Sequence, residues 1–63
     1  MSIVGQIAQR RIDLGISQRE LARLTGIPQP RIADIESGKH SPSAERLEAL
    51  AKALGLKIVL ESA

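Results

Sequence analysis

Sixty-three residues without cysteine and without Phe, Tyr or Trp exclude a disulfide staple and an aromatic core, so one domain spanning 1–63 must build its interior from Ile, Leu, Val and Ala. A chain of this length buries only about 60% of the surface its unfolded form exposes, so the core is marginal and a partner is expected to supplement it. The net charge of +2, with an isoelectric point near 9.7, permits a nucleic-acid partner without identifying one; no apolar run nears the roughly 20 residues of a membrane span and no signal peptide opens the chain, so a cytoplasmic protein is expected.

Ile3, Val4, Ile7, Ala8, Arg11, Ile12 and Leu14 recur mostly at spacings of three and four, which predicts an amphipathic helix over about 2–14. Gly15 ends it. The run "SQRE" at 17–20 is a capping box, in which the Ser17 hydroxyl accepts from the third helical amide and Glu20 reaches back. A second helix is predicted over about 17–24, burying Leu21, Ala22 and Leu24. Gly26 supplies the positive φ of a tight turn. A third helix follows over about 28–37, stopped by Gly38, and "KHSPS" is a loop. Ser43 caps a fourth helix, about 44–54, which buries Leu47, Leu50, Ala51 and Leu54. After Gly55, "GLKIVLE" alternates Leu56, Ile58 and Leu60 with Lys57, Val59 and Glu61, the period of a half-buried strand over about 56–61.

Two short helices joined by a turn of about three residues containing Gly make a helix-turn-helix. At about 100° per residue, Pro28, Ile32 and Ile35 share one side of the third helix and are expected to face the core. The opposite side centres on Pro30, Ala33 and Ser37, flanked by Gln29 and Asp34. Small and amide side chains make a face that can enter a major groove.

The run "SQRELARLTGIPQPRIADIESGK" carries Gln18, Glu20, Leu21, Ala22, Gly26, Ile27, Ile32, Ile35, Glu36, Gly38 and Lys39 at the positions where the lambda-repressor/Cro-like, or XRE, family has them. The flanking "RIDLGIS" and "PSAERLEALAKALGL" fit too, so the chain resembles that family over roughly 4–56. The resemblance implies a mainly α, compact four-helix DNA-binding domain, to which the segment after Gly55 adds one β-strand. It implies a transcriptional regulator of double-stranded DNA, with a dimeric repressor of a palindromic operator as the default mode.

Residue roles follow from matching positions. Gln29, Pro30, Ala33 and Asp34 occupy base-contacting places. A Gln amide can pair bidentately with adenine, Ala33 can lie against a thymine methyl, and Asp34 can accept from cytosine or pair with Arg31 in solvent. Pro30 reads by apolar contact at most. Gln18, Arg11, Arg31, Ser37, Lys39, His40 and Ser43 are candidates for the DNA backbone. Arg11 and Glu36 match a pair that forms an internal salt bridge in the family. Pro28 stands where the family has a polar N-cap, so the third helix lacks a side-chain cap.

No nucleophile signature or phosphate-cradling motif is present, and His40 sits in a polar loop with no Cys or acidic cluster beside it, so neither an enzyme nor a metal or cofactor site is expected. The strand has no partner within the chain. Pairing with the same segment of a second copy, Leu56, Ile58 and Leu60 covering the fourth helices, would complete a homodimer. A short chain with this motif and a C-terminal strand also resembles HipB-type and HigA-type antitoxins, which makes a toxin protein the alternative partner.

Overall fold

Four caps set the register of the chain. The computed structural model describes residues 2–59, in which α1 spans Ile3–Asp13, α2 Gln18–Thr25, α3 Gln29–Ser37 and α4 Ala44–Ala53. Ser2, Ser17 and Ser43 cap α1, α2 and α4, their hydroxyls accepting from Gly5, Glu20 and Arg46 amides at 3.0, 3.0 and 3.2 Å. Each satisfies one orphan donor of a first turn. Glu20 does not close the capping box. Its carboxylate turns to Arg23, one turn further along α2, where an exposed pair gains little. The N-cap of α3 is Pro28, with no side-chain hydrogen bond; Pro30 in the first turn costs little because those amides have no intrahelical partner.

The turn between α2 and α3 is tied from both sides. Thr25 Oγ1 donates to the Leu21 carbonyl at 2.8 Å and accepts from the Ile27 amide at 3.2 Å. Gly26, at φ +77°, donates to the Ala22 carbonyl. Three residues thus redirect the chain and aim α3 across α2.

The core comprises Ile7, Leu21, Ile27, Ile32, Ile35, Leu50, Ala51 and Leu54. α2 packs on α3 and α4, and α1 packs on the same two. Arg10 reaches over from α1 and donates to the Leu54 carbonyl at the end of α4, satisfying one acceptor that a helix terminus leaves open.

Several expectations are corrected. Ile12 and Leu24 are 57% and 46% exposed, not core. Ile12 lies about 140° round α1 from the buried Ile7, and Leu24 lies about 60° round α2 from the buried Leu21, on a flank that stays in solvent. Pro28 is exposed, and Ile27, one residue earlier, fills the place expected for it. Among the described residues no strand is found. Residues 56–59 carry no regular secondary structure, because a ladder needs a second strand. Leu60 and Glu61 of the expected strand lie outside the described residues. The alternation nevertheless governs packing: Leu56 and Ile58 lie against the core, while Lys57 and Val59 face out.

Candidate nucleic-acid interface

The site grows from α3, whose buried side is pinned by Ile32 and Ile35 at 1% and 2% exposure. That orientation puts Pro30 and Ser37 in solvent and leaves Gln29, Ala33 and Asp34 half-buried. Of the four residues expected to meet bases, Pro30 is in solvent, Ala33 and Asp34 lie beside it partly covered, and Gln29 lies on a flank about 60° round the helix from Ile32.

Gln29 is held by its terminal amide. Its Nε2 donates to Gln18 Oε1 at 2.9 Å, and Gln18 Nε2 donates to Glu36 Oε1 at 3.0 Å. Glu36 also accepts from Arg11, at 2.8 Å from Nε and 2.9 Å from Nη2, and Arg11 Nη1 donates to the Ile16 carbonyl at 2.8 Å. One chain of hydrogen bonds, charge-assisted at Arg11 and Glu36 and neutral between Gln18 and Gln29, thus joins α1, the turn after it, α2 and both ends of α3. Both members of the Arg11–Glu36 pair are 13% exposed.

This environment shifts both charged groups. Burial alone would raise the Glu36 carboxyl, but hydrogen bonds from Arg11 and Gln18 and the Arg11 charge outweigh it and hold it below the usual carboxylate range. Hydrogen bonding to Glu36 holds the Arg11 guanidinium above its ordinary value against desolvation. Three donating groups of Arg11 point inward, so the structure places it in the scaffold rather than on the outer face.

The C-terminal end of α3 carries the cationic side. Gly38, at φ +85°, turns the chain so that the Lys39 and His40 amides both donate to the Asp34 carbonyl, at 2.9 and 3.2 Å. Ser37 Oγ donates to the same oxygen at 3.2 Å. Arg31 does not pair with Asp34. Its Nη1 lies 2.8 Å from His40 Nδ1, a contact in which the guanidinium can only donate. Lys39 is exposed beside them. Ser43 spends its acceptor on capping α4 and keeps its hydroxyl proton free for an outside acceptor.

Several links escaped sequence reasoning, among them Gln18 to Glu36 and Arg31 to His40. Arg10 on the Leu54 carbonyl had no signal. Gln18 to Gln29 joins residues on different helices, and only the angle between α2 and α3 makes them neighbours. Among the described residues no cluster of three or more His, Cys, Asp or Glu comes together, and no helix there is long and apolar enough to cross a membrane.

The profile of a helix-turn-helix family matches residues 7–60. A Haemophilus influenzae protein named an uncharacterized HTH-type transcriptional regulator is 40% identical over 55 residues, covering 87% of this chain and 56% of that protein. A Methanothermobacter thermautotrophicus protein of the same description is 39% identical over 49 residues, covering 78% of this chain and 71% of its own length. The chain thus spans little more than half of the first relative. No solved structure matches it significantly. With a two-helix motif joined by a three-residue turn, and a profile match over most of its length, the chain belongs to the XRE-type helix-turn-helix family.

Proposed function

We propose that this protein is a transcriptional regulator that docks α3 in the major groove of double-stranded DNA, as a dimeric repressor of a two-fold-symmetric site. The observation that carries the reading is Gln29, the half-buried first residue of α3, whose amide is held by Gln18 and suits a purine edge. Pro30, Ala33 and Asp34 complete the base-facing surface. Gln18, Arg31, Ser37, Lys39, His40 and Ser43 supply phosphate contacts on either side, and Arg11 acts through the scaffold. The names of the two relatives support regulation of transcription. Nothing in the mechanism calls for a cofactor or a catalytic step; occupancy of the site blocks transcription.

Dimerisation through the C-terminal segment suits this role, because two recognition helices about one helical turn apart read a palindrome. A groove of about 370 Å³ between α1 and the segment is lined by Ile3, Ile7, Ala51, Leu56, Ile58 and Val59, together with the polar Gln6 and Lys57. Ile3 and Val59 stay 47% and 67% exposed, which leaves apolar surface for a second copy. The antitoxin alternative leaned on a C-terminal strand, and the described residues include none.

Substitution of Gln29 by Ala is expected to cost about 1–3 kcal/mol on the preferred duplex and to relax preference at one base position. Unchanged site preference would refute the docking of α3. Val59→Lys, at a position that makes no core contact, is expected to sediment as a folded monomer. A wild-type chain that already sediments as a monomer at micromolar concentration would refute the dimer.

A further inference from the structure

An amide is an ambiguous reader of DNA, because its two ends are alike in shape and opposite in function. Turned one way, it donates to adenine N7 and accepts from adenine N6. Turned the other way, it sets oxygen against N7 and N–H against N–H, and the pair is lost. Whatever fixes the polarity of Gln29 therefore fixes the base it selects.

In this chain the polarity can be followed atom by atom. Arg11 occupies both carboxylate oxygens of Glu36 from one side. A carboxylate only accepts, so the end of Gln18 that lies 3.0 Å from Glu36 Oε1 must be its Nε2. Gln18 then presents Oε1 to Gln29, and an oxygen there, 2.9 Å away, admits only Nε2 of Gln29. That leaves Gln29 with one N–H and both lone pairs of Oε1 for a base edge. Reversing Gln29 would require reversing Gln18 as well, which would press Gln18 Oε1 against the carboxylate.

Resting on the reading of α3 as the base-reading helix, we infer that Glu36 is a specificity-determining positioning residue. Its carboxylate, relayed through Gln18, sets the amide polarity of Gln29 and so selects adenine at the base pair that Gln29 meets. Glu36 does this without touching DNA, from a position 13% exposed behind the recognition face. The Arg11–Glu36 pair is thereby given a second task beyond joining α1 to α3: Arg11 keeps the carboxylate charged and oriented. Specificity at one base pair becomes a property of four side chains on three helices.

The test uses the 63-residue chain and a duplex that it enriches from random DNA, together with the three single-base-pair variants at the position where Gln29→Ala alters preference. The wild type is expected to favour A·T there by about tenfold or more, the discrimination of a good bidentate pair. Gln18→Met keeps the side-chain length but removes both ends of the relay; preference should fall to within about threefold. Glu36→Gln, whose amide can present either end to Gln18, should lower the preference in the same direction. In a Gln29→Ala background neither substitution should change it further. A role confined to stability or to phosphate contact would weaken all four duplexes by the same factor and leave their ratio intact. If Gln18→Met, or a Glu36→Gln protein shown by circular dichroism to be folded, retains the wild-type ratio, Gln29 orients itself and the relay is refuted. If Glu36→Gln does not fold, the Arg11→Met, Glu36→Leu double variant, which leaves no orphaned charge, takes its place: a fallen ratio supports the role of Glu36 and a wild-type ratio refutes it. If Gln29→Ala alters preference at no position, the reading of α3 fails, and the relay with it.

Discussion

Replacing Arg11 by Met would strip Glu36 of two of its three hydrogen-bond donors and the Ile16 carbonyl of its contact with Arg11. The cost lies between two limits. An exposed ion pair contributes about 0–1 kcal/mol, whereas removing one partner of a buried pair costs about 3–5 kcal/mol because the other charge is left uncompensated. At 13% exposure for both side chains, with Gln18 still donating to Glu36, the expected loss is about 2–4 kcal/mol. A domain of this size has roughly 3–9 kcal/mol in all at about 0.05–0.15 kcal/mol per residue. Arg11→Met therefore removes a large share of it, and unfolding is best followed by circular dichroism in urea at low temperature. The cycle is completed by Glu36→Leu and by the double variant, whose two apolar side chains leave no orphaned charge and should recover much of the loss. A coupling of about 1–3 kcal/mol is expected; one below about 0.5 kcal/mol would refute the view that these two groups stabilise the fold as a pair.

The same carboxylate predicts an acid dependence. Because the Glu36 carboxyl is held below its usual range in the fold, the folded state binds its proton less readily than the unfolded state. Its contribution is complete above the ordinary Glu value of about 4.3 and is lost as pH falls through the depressed one. The stability gap between wild type and Glu36→Gln, from urea midpoints, should therefore narrow only in acid; a gap constant from pH 7 to pH 3 would contradict it. Leu21→Ala, at a site with 0% exposure, should cost about 2–5 kcal/mol, while Leu24→Ala, at 46% exposure, should stay within about 0.5 kcal/mol in the same urea titration. Lys39→Ala should weaken binding to all duplexes alike and shallow the slope of log affinity against log salt by about one unit.

Sequence legibility differed by kind of feature. The helix ends were legible because they depend on local chemistry: Ser17 and Ser43 cap in place, and Gly26 and Gly38 take the positive φ that the turns need. Burial was legible only where a stripe was long or unambiguous, as for Ile7, Ile32, Ile35, Leu50 and Leu54. It failed for Ile12, Leu24 and Pro28, since on helices of two or three turns the neighbours, not the periodicity, decide which flank is covered. Ile27 lay hidden because a turn residue has no period to betray it. The C-terminal alternation showed which side chains turn inward, Leu56 and Ile58, but a strand also requires a hydrogen-bonding partner, which no pattern within one segment supplies. At the candidate interface the outer face of α3 followed from its apolar positions. The tie of Gln29 to Gln18 and onward to Glu36 did not, because it joins residues 11 and 18 positions apart in sequence.

Whether α3 reads base sequence is decided by selection of binding sites from random duplex DNA. A two-fold-symmetric sequence should be enriched, its half-sites centred about 10 base pairs, one helical turn, apart. Within each half-site an adenine should lose its enrichment when Gln29 is replaced by Ala. A pool that remains random after repeated selection at low salt, or an enriched site whose every position is unaffected by Gln29→Ala, would contradict base reading by α3.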